Sequence, residues 1–516
     1  MSISENDMQN PKKNPIKRVV IAGGGTAGWL TASLMKKVLG EAVNITLVES
    51  EVIGTVGVGE ATIPPIRLVN QVLGIDEAQF LYETKATIKL AIKFENWKTK
   101  GQSYYHTFGA PGKAMAFCHF HHYWLKGQQL GKTQDLWDYD LNYHAAEAGK
   151  FAPINAKDPV LELPFAYHFD ASLYAKYLRK LSESMGVVRI EGKIGSVERD
   201  NVNGYIKALR LDNKNRIEGD LFIDCTGFKG LLIQETLGTG YDDWSHLLPC
   251  DSAIAVPSER HESTRPFTRS IAHDAGWQWR IPLQHRNGNG HVFCSRYVSE
   301  DHALDTLMGN LDTKPLADPK LIKFTTGRRR KQWNKNVVSV GLSSGFLEPL
   351  ESTSIHLIQS AIVRLIQLFP HNGITPSLEA EYNKQSALEF EQIRDFLILH
   401  YSVNERTDSA FFNDMRNLDL PDTLRHKIAL FKENGSLFRD QNDLFLESSW
   451  LQVMYGQGIT PNDYHGLVNT FSDEKLKEML TRLLKIKREP LSQLPSHDEY
   501  LNGMVKRAKQ NMSANA

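Results

Sequence analysis

Apolar residues along this chain change period several times, and each change marks an element. KRVVIA (17–22) is a short apolar run. Gly23-Gly24-Gly25-Thr26-Ala27-Gly28 separates it from WLTASLMKKVLG, whose apolar positions recur at helical spacing. VNITLVES follows as a second apolar run ending near Glu49. Strand, helix and strand in that order predict a βαβ unit. A loop rich in Gly, Val and Pro (VIGTVGVGEATIPPI, 52–66) comes next, and residues 70–97 read as largely helical. Residues 101–130 are aromatic and His-rich and fit neither period. From 185 to 300, short runs such as VVRIEGKIGSVERD, YIKALRLDN and HVFCSRYVS predict antiparallel strands, with LFIDCTG as a further sheet strand. VVSVGLSSGFLEPLESTSIHLIQSAIVRLIQLF returns to strand, loop and helix, and beyond about 375 the chain reads mainly helical. The expected fold is α/β (α+β): a three-layer core built on the βαβ unit, an inserted antiparallel sheet, and a helical carboxyl-terminal lobe.

One hexapeptide breaks the monotony of the strand-rich middle. Trp277-Gln278-Trp279-Arg280-Ile281-Pro282 places two indoles on one face of a strand. Pro282 cannot donate to a ladder, so the strand should end there or lie on an edge. Taken alone, this is a buried aromatic pair.

Composition narrows the function classes. Sixty basic residues balance sixty acidic ones, so nothing resembles the basic footprint of a nucleic-acid binder. Cys118, Cys225, Cys250 and Cys294 are far apart, with no C-x-x-C pair, which argues against a disulfide scaffold or a structural zinc site. Sparse cysteines fit a reducing cytoplasm. The first sixteen residues are polar, without an apolar h-region, and read as a disordered leader. No stretch is long and apolar enough to span a bilayer. His119, His121 and His122 beside Cys118 are spaced poorly for one tetrahedral centre, so no metal is expected.

Gly23-x-Gly25-x-x-Gly28 lies between a strand and a helix, where glycines allow a tight turn and close approach to a pyrophosphate. Thr26 and Ala27 complete the turn, and the helix amino end adds N–H groups and partial positive charge. Glu49, at the end of the next strand, is placed to accept hydrogen bonds from an adenosine ribose. Asp224-Cys225-Thr226-Gly227, closing a second apolar strand, resembles the second cofactor-contact strand of FAD-binding folds. A plain strand-end turn is the alternative.

Taken together, GGGTAGW, GVGEATIPP, WQWRIP and EPLEST resemble the flavin-dependent (tryptophan) halogenase family over about residues 17–500. The resemblance implies an FAD-binding core of the flavin monooxygenase type over 17–370 and a lobe over 371–510 that contributes to the substrate pocket. It implies FAD used as FADH2, chloride or bromide, and a separate NAD(P)H-dependent flavin reductase. A small aromatic substrate of indole type is implied, and a homodimer is compatible with it. Gly59, Glu60, Ala61 and Thr62 match the family strap along FAD, and Gly345 opens the GFLEPLEST segment beside it.

The same resemblance assigns the chemistry. Lys89, in ATIKLAIKFENW, matches the lysine to which hypohalous acid is relayed. Lys85, Lys89 and Lys93 are read on one helix face, with Lys89 alone in an apolar setting. Burial would lower its pKa. Glu351 matches the catalytic acid/base, and Glu348 reads as structural. Thr353 and Ser354 match the halide-binding positions. His106 and Phe108 match an aromatic-stacking pair, and Phe445, Glu447 and Trp450 are the substrate candidates of the carboxyl lobe. No Phe-Trp pair occurs there, so simple indoles compete with free tryptophan as substrates. The sequence leaves two rivals: an aromatic hydroxylase on the same flavin fold, and a non-catalytic flavin-binding protein.

Overall fold

The computed structural model describes residues 15–52, 59–115, 117–154 and 158–514. The nucleotide-binding unit forms as its pattern predicts: β1 (Arg18–Ala22), α1 (Thr26–Leu39) and β2 (Asn44–Glu49). β1 is central in a six-stranded sheet, paired in parallel with β2 on one side and Leu221–Asp224 on the other. Val188–Glu191 extends the sheet beyond β2, and Val337–Ser339 and Trp333–Asn334 extend it beyond Leu221–Asp224. Its central strands are apolar on both faces, as a sheet covered from both sides requires. Ile16, the last residue of the expected leader, is buried in this core, and residues 1–14 lie outside the described residues.

A second sheet has seven strands in the order Lys320–Lys323, Ser252–Glu259, Arg286–Phe293, Gly276–Pro282, Phe267–His273, Ala91–Glu95 and Ser103–Thr107. The hexapeptide strand is therefore interior. Trp277 and Trp279 lie on its buried face with ring centroids 6.1 Å apart, and Gly290 opposite leaves the space that the Trp279 ring fills. Pro282 closes the strand past the last pairing with Phe267–His273.

The stretch 70–97 departs from its expected helix. Only Ile66–Leu73 and Glu77–Glu83 are helical. The chain then runs as β4 (Thr87–Lys89) and β5 (Ala91–Glu95), with β3 (Gly59–Ala61) before them and β6 (Ser103–Thr107) after. The reason is a competition of periods. β4 is buried throughout, and Ile92-Lys93-Phe94-Glu95 alternates buried and part-exposed positions as a strand does, while the i, i+4, i+8 spacing of the three lysines imitates a helix face over the same residues. Lys85, Lys89 and Lys93 consequently share no helix face. Lys85 sits in a turn at φ 53°, and Lys93 lies on β5 near Glu147. β3 and β4 flank β7 (Ala166–Asp170) in a small antiparallel sheet, while β5 joins the seven-stranded one. Leu90 is the single residue between the two sheets.

From Pro376 onward the chain is mainly helical, beginning with the 27-residue helix Pro376–Ser402. Helix Glu447–Gly456 packs along β6. No helix among the described residues is long and apolar enough to cross a membrane.

Candidate active site

The glycine turn is enforced by contacts. Gly23 runs at φ 111°, and a Cβ there would lie 2.3 Å from the Cys225 carbonyl oxygen. At Gly28 a Cβ would lie 1.9 Å from the Gly23 carbonyl oxygen. Gly25 is the N-cap of α1 and offers no side-chain cap, so the first-turn N–H groups of α1, from Thr26 and Ala27 onward, are available to an anion. The Glu49 carboxylate lies against the turn: a Cβ on Gly24 would sit 1.5 Å from its Oε2. A backbone cradle, a free helix terminus and an acid beside it fit the pyrophosphate and ribose of FAD.

The second turn is built differently from its expectation. Asp224 accepts from the Thr226 N–H at Oδ1 and from the Leu232 and Ile233 N–H groups at Oδ2. Its carboxylate shapes the turn and is not left free for a cofactor. Gly227, at φ 71°, faces open space, which leaves the backbone approachable. Gly345 is held by packing, because a Cβ there would meet the Gly327 carbonyl at 2.6 Å. The strap is described from Gly59 onward; Gly57 and Val58 lie outside the described residues. Gly59 packs backbone to backbone on Gly288 beside the hexapeptide strand. Burial pushes the Glu60 carboxyl up to about 7.

Lys89 is fully buried. Its Nζ donates to the Thr62 carbonyl at 3.1 Å and to Ser352 Oγ at 2.8 Å, and stands 5.2 Å from the Phe108 ring centroid. Burial lowers its pKa to about 7, against a smaller opposing pull from Glu351. Ser352 adopts the left-handed conformation (φ 59°), which turns the chain so that Glu351 and Thr353 flank its hydroxyl. Thr353 is the N-cap of helix Ser354–Gln367 without capping through its side chain, and its buried Oγ1 has no partner. The first-turn N–H groups at Thr353 and Ser354 thus lie beside the lysine anchor.

Glu351 stands between two histidines. His106 Nδ1 is 2.8 Å from Oε2, and His400 Nε2 is 2.7 Å from Oε1. The second contact is close but off-line, so it does not make a well-formed hydrogen bond. Burial would raise the Glu351 pKa, but the two histidines override it and hold it down at about 2. His400 is fixed in turn: its Nδ1 is 3.0 Å from Tyr104 OH, and its ring stacks on Phe94 at 4.5 Å. Glu348, three residues away, faces elsewhere. Its Oε2 accepts from Trp277 Nε1 at 2.9 Å and Tyr401 OH at 2.5 Å, and burial raises its pKa to about 7. This bond links the hexapeptide to the EPLEST loop.

The substrate candidates divide. Phe445 stacks on Phe396 at 3.8 Å, Trp450 meets the same ring edge-on at 4.9 Å, and His106 lies 5.7 Å from it. Phe396, which the sequence reading missed, is the hub joining them. Glu447 is not part of this group; its Oε1 holds the Arg439 N–H at the start of its helix. His106 serves the carboxylate as well as the aromatic wall. Gln452, also missed, clamps β6: its Oε1 accepts from the Thr107 N–H at 3.0 Å and its Nε2 donates to the Thr107 carbonyl at 3.3 Å. The His-rich helix start makes lobe contacts, with His121 Nε2 2.6 Å from the Gly435 carbonyl, and no metal-holding group occurs among the described residues.

Known proteins resemble this chain over nearly its whole length. The tryptophan halogenase family model matches residues 18–473. Tryptophan 7-halogenase RebH of Lentzea aerocolonigenes is 34% identical, over 94% of this chain and 98% of its own. Among solved structures, Xcc4156, a flavin-dependent halogenase from Xanthomonas campestris, superposes with a TM-score of 0.93 at 49% identity, covering 95% of this chain and 98% of its own. BrvH, a flavin-dependent halogenase from Brevundimonas sp. BAL3, gives 0.91 at 43% identity, covering 95% and 99%. The chain belongs to the tryptophan halogenase family and is an enzyme of the flavin-dependent halogenase class.

Proposed function

We propose that this halogenase binds FAD in its reduced form and transfers chloride or bromide to a small indole-type arene, with Lys89 directing the oxidised halogen and Glu351 serving the arene. One observation carries the reading. A buried amine with a pKa near 7 lies between the strap carbonyl of Thr62 and Ser352, one residue from Glu351. When bound, the reduced flavin supplies with oxygen the oxidising power that turns halide into hypohalous acid. Gly23, Gly25, Gly28 and Glu49 are the residues to hold it, and the N–H groups of Thr353 and Ser354 those to hold halide. A buried amine near its pKa can donate to hypohalous acid as ammonium or bind halogen as free amine. Glu351 stays ionised at neutral pH, so its first contribution is a fixed negative charge facing the positive charge that grows on the ring. It then takes the ring proton.

The pocket favours an uncharged arene. Glu447 is occupied by the Arg439 N–H, and Lys427, 4.4 Å above Trp450, is paired with Asp440 at 2.7 Å. A zwitterion entering among these groups would be desolvated without obvious compensation. A separate reductase supplies reduced flavin. The thiols Cys118, Cys225, Cys250 and Cys294 are all free, which supports a reducing, cytoplasmic setting. The test is mass spectrometry of an aromatic library incubated with enzyme, FAD, an NADH-dependent reductase, oxygen and bromide. Halide-dependent gain of bromine on an indole is expected; hydroxylation without halide would overturn the reading.

A further inference from the structure

The helix that follows the glycine turn opens with Thr26-Ala27-Gly28-Trp29. Trp29 is 1% exposed, and packing alone would be met by Phe or Leu. Its indole does one thing those residues cannot: Nε1 donates to Glu49 Oε2 at 3.2 Å. The other oxygen of that carboxylate accepts from Arg189 Nε at 2.5 Å, with Arg179 at 3.6 Å. Glu49 stands at the end of β2, where an unheld side chain has several rotamers open to it. Held at both oxygens, it lies against Gly24, in space that any Cβ at that position would occupy.

We propose that Trp29 is a cofactor-positioning residue: its N–H fixes Glu49 over the glycine turn so that the carboxylate meets the adenosine ribose of FAD already aligned. Each carboxylate oxygen keeps a second lone pair, which suits the two hydroxyls of a vicinal diol. The tryptophan and Arg189 together remove the rotamer freedom that Glu49 would otherwise lose on binding. This inference rests on the FAD assignment above.

The experiment is a flavin-fluorescence titration of the apoenzyme with FAD, alongside thermal melts. Trp29→Phe keeps the ring and loses the donor. FAD affinity should fall about 3- to 30-fold, the range set by partial loss of a charged hydrogen bond, with the apoenzyme melting point little changed. Trp29→His, which retains a ring N–H, should recover part of the loss. Glu49→Ala should weaken FAD by itself, and adding Trp29→Phe to it should change nothing further. Equal FAD affinity in Trp29→Phe, or a full additional loss on top of Glu49→Ala, would overturn the inference. If Trp29→Phe does not fold, Arg189→Met removes the second hold on the same carboxylate and must weaken FAD likewise. Failure of the unmodified enzyme to bind FAD would instead bring down the flavin assignment.

Discussion

At the scale of single residues, Lys89 and Glu351 are driven apart by their surroundings. Burial destabilises the ammonium, and the two histidines stabilise the carboxylate. Lys89→Met should abolish halogenation while reoxidation of reduced flavin by oxygen continues; product analysis and flavin absorbance on one sample separate the two. Between pH 7 and the unfolded value of 10.5, the unfolded chain holds a proton that folded Lys89 has lost. This group's contribution to stability therefore improves as pH rises through that window, and its cost is fully present below it. Lys89→Met should accordingly melt higher than the parent at pH 6. Glu351→Gln should lower the halogenation rate by roughly two orders of magnitude, the scale of a positioned acid/base. Glu348→Gln keeps an acceptor for Trp277 and Tyr401 and should cost far less; the reverse order of damage, read in steady-state rates, would exchange their roles. Both residues of the proposed site stand in short motifs, which is what singles them out in the sequence. His400 was not: it closes a 27-residue helix whose pattern FLILHY gives no reason to single it out, and only folding brings it to Glu351.

Elements differ in how plainly the sequence marks them. β1, α1 and β2 were legible because glycine spacing and two periods agree. β4 and β5 were not, because the i, i+4, i+8 spacing of Lys85, Lys89 and Lys93 imitates a helix face and competes with the strand alternation of Ile92-Lys93-Phe94-Glu95. Ser352 and Gln452 act through a backbone turn and a side-chain amide, neither of which leaves a pattern in sequence. Gln452 binds the edge of β6 as a neighbouring strand would. Gln452→Leu would leave the Thr107 N–H and carbonyl unpaired in a buried place, at a cost of about 1–3 kcal/mol. The expected result is a lower melting point together with reduced kcat/KM, since β6 carries His106. An unchanged melting point would show that β6 is held by its pairing with β5 alone. At the glycine turn, Gly24→Ala sets a methyl where Glu49 Oε2 now lies, and FAD affinity should drop more than tenfold in the same fluorescence titration.

For the molecule as a whole, the proposed substrate preference rests on the aromatic cluster of Phe396, Phe445 and Trp450. A site built to pair an ammonium and a carboxylate rejects an analogue that lacks them. Here the charged groups near Trp450 are already paired, so indole should be halogenated at least as well as free tryptophan. Attack should fall on the electron-rich pyrrole carbon. Competition between indole and tryptophan at equal concentration, with products resolved by mass and NMR, tests both statements; clean benzo-ring halogenation of tryptophan with indole ignored would sink them. The single residue Leu90, where the chain passes from one sheet to another, has a consequence for inheritance. Lys89 belongs to the sheet that carries the strap, whereas β6, Phe396, Phe445 and Trp450 belong to walls assembled on the other side of that seam. Lys89 is thereby separated in the chain from these walls, although β6 and the helix of Phe396 also carry His106 and His400, which hold Glu351. Transplanting the wall segments from a relative with another arene, with His106 and His400 retained, should carry its substrate preference across while Lys89 and its contacts to Thr62 and Ser352 stay in place.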